Sequence, residues 1–160
     1  MTKNTTVVDE KTTENNCNTE KSFDVLSDLY KNVTMAQNSV KTILPYASDP
    51  CLTKSLHKQV ENYDAYVEKI QALAQNLNYE PSPAPQALLS MAGMGIRFKM
   101  MTDKSVSHIA KIMLQGTLNG LIDLYRLQKT LDDVHPDISL LVKQTLRYEE
   151  ACFEDMKGNL

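Results

Sequence analysis

The sequence has little of what builds strands and tight turns. It contains five glycines and six prolines among 160 residues, and it has no tryptophan. No Asn-Gly or Asp-Gly pair stands between two segments of alternating apolar residues, so the usual signal for a β-hairpin is missing. These absences favour a chain of long helices. With 42% apolar residues, the chain has enough material for a single core.

Other absences limit the binding partners and the cellular location that the sequence favours. No apolar run reaches 18 residues and the polar N-terminus does not resemble a signal peptide, so we expect no membrane association. A net charge of -3 and scattered Lys and Arg residues argue against a nucleic-acid partner. Cys17, Cys51 and Cys152 form no Cys-x-x-Cys motif and leave one cysteine unpaired in any disulfide scheme. The sequence therefore predicts a cytoplasmic protein.

Three stretches carry apolar residues three and four positions apart, which places them on one face of a helix. The lines are Leu26-Tyr30-Val33-Gln37-Val40-Leu44, Leu52-Leu56-Gln59-Tyr63-Tyr66-Ile70-Leu73-Leu77 and Ile138-Val142-Leu146-Glu149-Phe153-Met156-Leu160. Each line contains one strongly polar residue near its middle. A buried polar side chain costs free energy unless it is paired, so Gln37, Gln59 and Glu149 need partners or a purpose.

The chain divides into a tail and one domain. Residues 1–20 are almost wholly polar, and we expect a disordered tail there because this segment cannot bury enough apolar surface. Residues 21–160 form the single predicted domain. Its four long helices run over about 22–47, 50–77, 105–131 and from 136 nearly to the end, with a shorter segment at 86–101. Asp49-Pro50 and His135-Pro136 mark helix starts, and the proline-rich residues 79–85 mark a break.

Four helices of about 25 residues have the dimensions of an antiparallel four-helix bundle. The residues between the second and third long helices are too many for a tight turn, so we predict a short helical crossover there. With a crossover, the two hairpin turns lie at opposite ends of the bundle. Gln37, Gln59, Asn119 and Glu149 then fall at a similar height, and with Gln115 they form a predicted inner polar layer that could bind a ligand.

The third long helix can be oriented in two ways. Gln115 and Asn119 belong to a continuous polar stripe that most simply faces water, and an inward orientation is the competing interpretation. Gly116 and Gly120 lie four residues apart on the same helix, which indicates close approach of a neighbouring backbone.

A polar layer in the middle of a bundle is where di-iron carboxylate proteins hold their metal, using two Glu-x-x-His motifs and two further glutamates. This chain contains no Glu-x-x-His, so we predict no metal site, no cofactor and no catalytic residues. A hydrogen-bonded network is the better interpretation, in which Tyr63, Tyr66 or Tyr148, or an amide of Gln37 or Gln59, donates to Glu149. Without such donors, burial should keep Glu149 protonated near neutral pH.

Several segments resemble a small ferritin-like group from anaerobic Firmicutes. The similarity is strongest from Met101 to Asp123, through Ser-His108-Ile-Ala and Gln115-Gly116, and it includes Leu146-Arg-Tyr-Glu149-Glu150 and Gln59-x-x-x-Tyr63. It covers about residues 22–160. The resemblance implies a ferritin-like four-helix bundle of unassigned function, in which Gln59, Gln115 and Glu149 are family-like positions.

Two functional hypotheses follow. The first is a non-enzymatic bundle that acts through protein contacts, as a homodimer or with another protein, using a helix face or the Met-rich segment at 86–101. Ala substitutions at Met94, Phe98 and Met100 should then weaken the assembly. The second hypothesis is a degenerate metal or small-ligand site at the polar layer, in which Glu149 carries the binding.

Overall fold

All regular secondary structure in the described part of the chain is helical. The computed structural model describes residues 7–160, with side chains from residue 18 onward. It contains five α-helices, and no strand occurs among the described residues: α1 (Val7–Ile43), α2 (Pro50–Asn76), α3 (Gln86–Thr102), α4 (Val106–Gln128) and α5 (Pro136–Lys157). The all-helical prediction is confirmed. None of the described helices has the length and apolarity needed to cross a membrane.

The helix α1 begins earlier than the sequence predicted. The predicted start was near Ser22, whereas the helix is continuous from Val7. The first six residues lie outside the described residues, and so do the side chains of residues 7–17. The disordered tail at 1–20 therefore stays a prediction.

Helices α1 and α2 form an antiparallel hairpin. Pro45 lies in a 3-10 turn, Leu44–Tyr46, that follows α1. Asp49 then caps α2 by accepting a 2.8 Å hydrogen bond from the backbone N–H of Leu52, as the Asp-Pro signal predicted. At the other end of the hairpin, the rings of Phe23 and Tyr79 stack with their centroids 4.1 Å apart.

Helix α3 returns the chain along α1. The backbone N–H of Ala84 donates to the hydroxyl of Thr34, and the Asn38 amide donates to the backbone carbonyl of Leu89. Further along, Gly93 lies against Thr42. Because these contacts advance along both segments in the same direction, α3 runs parallel to α1. It packs mainly on that one helix.

Helices α4 and α5 form the second hairpin. Ser105 caps α4. Further along, α4 contacts α1 at Gly120, whose carbonyl accepts a hydrogen bond from the Asn32 amide. The turn before α5 meets α1 at Ser22, far from the Ile43 end of that helix, since the backbone N–H of His135 donates to the hydroxyl of Ser22. The α1/α2 turn and the α4/α5 turn therefore lie at opposite ends of the molecule.

The predicted apolar stripes form the core. Their central members are fully or almost fully buried: Leu26, Val33, Val40, Leu52, Leu56, Tyr63, Ile70, Ile138, Val142, Leu146 and Met156. Leu160 is an exception and is exposed beyond the end of α5. The most buried polar side chains of the three stripes are Gln59 and Glu149, which come from facing helices.

Candidate functional site

The centre of the candidate site is the pair Tyr63–Glu149. Tyr63 projects from α2 and Glu149 from α5, and both lie on inward stripes of their helices. The Tyr63 hydroxyl donates a 2.7 Å hydrogen bond to Oε1 of Glu149. Glu149 is only 1% exposed. Tyr63 is one of the predicted donors to Glu149, and this prediction is confirmed.

The second carboxyl oxygen of Glu149 is left open. No donor in the described part of the chain lies within hydrogen-bond distance of Oε2, although this atom is buried. Leaving a buried acceptor unpaired costs about 1–3 kcal/mol. The described residues also place no Lys, Arg or His in an ion pair with this carboxyl group. Glu149 is thus a buried acid whose Oε1 accepts one hydrogen bond and whose Oε2 accepts none from the described residues.

Burial controls the ionisation of this pair. Desolvation raises the pKa of Glu149 from 4.5 to about 7, against the lowering effect of the Tyr63 hydrogen bond. Burial and the nearby Glu149 charge raise the pKa of Tyr63 well above its usual value. The phenol therefore remains a donor at neutral pH, while Glu149 is divided between its neutral and ionised forms.

Two further side chains enclose the pair. The ring of Tyr148 packs edge-on against Tyr63, with centroids 5.5 Å apart and planes at 81°. Cys152 lies one helical turn beyond Tyr148 and is buried, and desolvation raises its pKa to about 11. Its thiol is therefore protonated at neutral pH and is a poor nucleophile.

The two glutamines of the predicted layer take different positions. Gln59 is buried, and its Oε1 has no hydrogen-bond partner among the described residues. Gln37 is only partly buried, and its amide donates a 2.6 Å hydrogen bond to Asp64, which also accepts from Lys41 at 2.8 Å. Gln37 therefore belongs to a polar cluster at the surface of the α1/α2 hairpin and does not contact Glu149.

Of the two predicted orientations of α4, the favoured one, in which Gln115 and Asn119 face water, is confirmed, and the inward one that the polar layer required is wrong. Both side chains are exposed on α4. The physical reason is that α4 turns its apolar face inward, including Ile109, Met113 and Leu124, which leaves the polar stripe toward solvent. Of the five predicted layer residues, only Gln59 and Glu149 are buried, and ligand binding by the set stays a prediction.

Gln115 and Asn119 nevertheless share a cavity with Glu149. A groove of about 990 Å³ lies between α3 and α4, with α1 as its floor, and we call it the α3/α4 groove. Its walls include Ile96 of α3 and Gly116 of α4, and its inner end reaches Tyr63 and Glu149. The groove thus connects exposed amides on α4 to the buried carboxyl group.

Sequence reasoning missed the floor of this groove. Asn32, Ala36 and Ser39 of α1 line it. They lie three and four residues apart, so a second face of α1 with small and polar residues was visible beside the apolar stripe. What the sequence could not show is that α3 and α4 would flank this face without closing over it.

The predicted close approach of a neighbouring backbone at Gly116 and Gly120 is not found among the described residues. A Cβ at Gly120 would lie 3.6 Å from the Asn32 amide, which is ordinary contact. A Cβ at Gly116 would meet no atom of the described residues within 4 Å. Gly116 therefore faces open space in the groove, and packing within the described chain does not require its small size.

The described residues contain no group of three His, Cys, Asp or Glu side chains placed to hold a metal ion. In comparisons with known proteins, no protein-family model, no curated protein and no solved structure matches the chain. The resemblance to a ferritin-like group accordingly stays a prediction.

Proposed function

We propose that this protein is a non-catalytic, ferritin-like four-helix bundle that acts by binding another protein through α3. Its two antiparallel hairpins, joined by a helix that returns along α1, have the connectivity of bundles with one crossover. Among the described residues there is no cluster of metal ligands, and the interior polar contact between α2 and α5 is the Tyr63–Glu149 hydrogen bond. This arrangement supports a structural role for the polar interior.

The outer face of α3 is the observation that carries the proposed function. Met91, Met94, Phe98 and Met101 are 64–78% exposed, and we call them the outer ridge. They lie three, four and three residues apart, so they form one stripe on the side of α3 that faces away from α1. A surface helix normally has a polar outer face, whereas α3 is apolar on both sides.

Such a stripe is suited to partner binding. Contiguous exposed apolar surface marks interaction sites, and flexible Met side chains adapt to the shape of a partner helix. Phe98 supplies an aromatic anchor of the kind that carries much of the energy at interfaces. Met100, by contrast, is fully buried. The prediction that Met100 acts with Met94 and Phe98 as an interface residue is therefore wrong.

Charge indicates what kind of partner fits. The helix α3 contains Arg97 and Lys99 and no Asp or Glu. Pairing α3 with the α3 of a second copy would bring like charges together, which opposes a homodimer through this face. An amphipathic helix with acidic flanks would complement both the ridge and its charges. We therefore assign the ridge to an acidic helical segment of another protein.

The test uses two synthetic helical peptides with the same Leu face, one flanked by Glu and one by Lys. We expect the Glu peptide to bind at least about ten-fold more tightly in fluorescence anisotropy. Replacing both Met94 and Phe98 by Ser should weaken its binding by at least about ten-fold. The matched control is Leu140→Ser, which removes an exposed leucine from α5 and should change nothing.

Two results would overturn this proposal. One is equal affinity of the protein for the Glu and Lys peptides, or equal affinity of the ridge variant and the unmutated protein for the Glu peptide. The other is a dimer in sedimentation velocity that the ridge substitutions dissociate, because the partner would then be a second copy of the chain.

A further inference from the structure

The α3/α4 groove differs from the outer ridge in having a buried acid at its inner end. It uses the opposite flank of α3, including Ala92 and Ile96, and the facing side of α4. Along α1 it extends from Asp28 to Ile43, or about 22 Å at the rise of an α-helix. A space of this size and lining is in the range of small-molecule sites.

Glu149 supplies the polar end of this space. It is almost fully buried, it lines the groove, and its Oε2 has no donor among the described residues. Tyr63 occupies Oε1 and fixes the orientation of the carboxyl group. Oε2 is shielded from solvent in this structure, so a ligand group would reach it once the side chains at the inner end of the groove move aside. It would then meet an unpaired acceptor in a fixed orientation.

We infer that the α3/α4 groove binds an amphipathic primary amine, with its ammonium group at Oε2 of Glu149 and its apolar chain along α1. A buried carboxylate requires a compensating charge, and the described chain places no cation beside it. An ammonium group supplies that charge and donates to Oε2. This inference is independent of partner binding by the ridge.

The groove walls fit the rest of such a ligand. Ala36, Val40, Ile96 and Ile112 provide apolar surface along its length. Charges at the groove are mixed, with Asp28, Lys31, Lys99, Asp123 and Arg126 among the lining residues. Because these charges are nearly balanced, they give little preference for either sign, and the inner carboxyl group determines the selectivity.

The first test compares three probes of equal chain length by isothermal titration calorimetry: octylamine, octanol and octanoate. We expect saturable binding of octylamine, at least ten-fold tighter than that of octanol, and no binding of octanoate. Glu149→Gln preserves the shape of the side chain and its acceptor for Tyr63 and should reduce the preference for the amine to less than three-fold.

A second pair of variants tests the location without touching the buried pair. Gly116→Leu places a side chain in the groove, where a Cβ meets no described atom within 4 Å. Gly95→Leu is the matched control, because Gly95 has the same open surroundings but does not line the groove. We expect Gly116→Leu to weaken octylamine binding at least ten-fold and Gly95→Leu to leave it unchanged, with circular dichroism confirming that both remain folded.

Several results would overturn the inference. They are no saturable octylamine binding by the unmutated protein, equal binding of octylamine and octanol, or unchanged octylamine binding by Gly116→Leu. Failure of the Glu peptide to bind the ridge would not affect octylamine binding in the groove, so the two proposals can fail separately.

Discussion

The Tyr63 hydroxyl and the Glu149 carboxyl group join α2 to α5 across the interior through a 2.7 Å hydrogen bond between residues 86 positions apart. Helices α2 and α5 share fewer contacts than the two hairpins do internally. The bond therefore lies at the weaker interface between the hairpins, where a directional contact helps to fix their relative register.

Removing this bond should destabilise the protein. In Tyr63→Phe, Oε1 of Glu149 loses its donor and neither oxygen of the buried carboxyl group then has one, so we expect a loss of about 1–3 kcal/mol in the free energy of unfolding. The loss should be larger at pH 8 than at pH 5, because the Tyr63 bond favours the ionised form of Glu149. Urea unfolding at the two pH values measures both effects.

Tyr66→Phe is the matched control for this experiment. Its hydroxyl makes only a 3.3 Å contact with the Gln144 carbonyl at the surface, so we expect a change below about 0.5 kcal/mol. Equal destabilisation by the two substitutions would contradict a special role for the Tyr63–Glu149 bond.

Stability should fall as the pH rises through neutrality. The folded state raises the pKa of Glu149 from 4.5 to about 7, so between these values the folded protein holds a proton that the unfolded chain has lost. The contribution of Glu149 to stability is therefore fully present below about pH 4.5 and is lost as the pH rises to about 7. From pH 5 to pH 8 the contribution of this group is on the order of 2–3 kcal/mol.

Glu149→Gln isolates this contribution, since the amide does not titrate. The difference in the free energy of unfolding between the variant and the unmutated protein should grow in favour of the variant from pH 5 to pH 8. A difference that is independent of pH would show that Glu149 does not titrate in this range.

The two glutamines of the apolar stripes should respond oppositely to replacement by methionine. Gln59→Met removes a buried amide oxygen that has no partner in the described chain, so we expect an unchanged or higher unfolding free energy, by up to about 1 kcal/mol. Gln37→Met loses the 2.6 Å bond to Asp64 and should cost about 0.5–1.5 kcal/mol. Urea midpoints distinguish these cases, and a large loss in Gln59→Met would indicate a partner for its amide.

Much of the core could be predicted because helical periodicity is a local property of the sequence. Leu26, Leu56 and Val142 are buried as their spacing required, and Asp49 caps α2 as the Asp-Pro pair indicated. The identity of the buried acid followed in the same way, since Glu149 occupies an inward position of an otherwise apolar stripe.

The groove could not be predicted, because it depends on where α3 docks. That position is set by long-range contacts, such as Asn38 with the carbonyl of Leu89, that no local pattern encodes. The rotation of α4 was similarly open, since Gln115 and Asn119 belong to a stripe that suited either water or a polar interior. The larger apolar face of α4 decided it.

Helix α3 gives the clearest separation of core from interface. Met94 and Met100 are six residues apart, so their side chains point about 120° apart around the helix, and the sequence alone could not assign a side to either. Met100→Ala should leave a cavity in the core and lower the free energy of unfolding by about 2–5 kcal/mol. Met94→Ala removes a side chain that is 64% exposed and should change stability by less than about 0.5 kcal/mol.

The effects on binding of the Glu-flanked peptide should be in the reverse order, when binding is measured under conditions in which both variants are folded. Met94→Ala weakens binding because it removes part of the outer ridge, while Met100→Ala retains the ridge and its affinity. Comparable stability losses in the two variants would mean that α3 is rotated on α1, and the residues assigned to the ridge and to the core would then have to be exchanged.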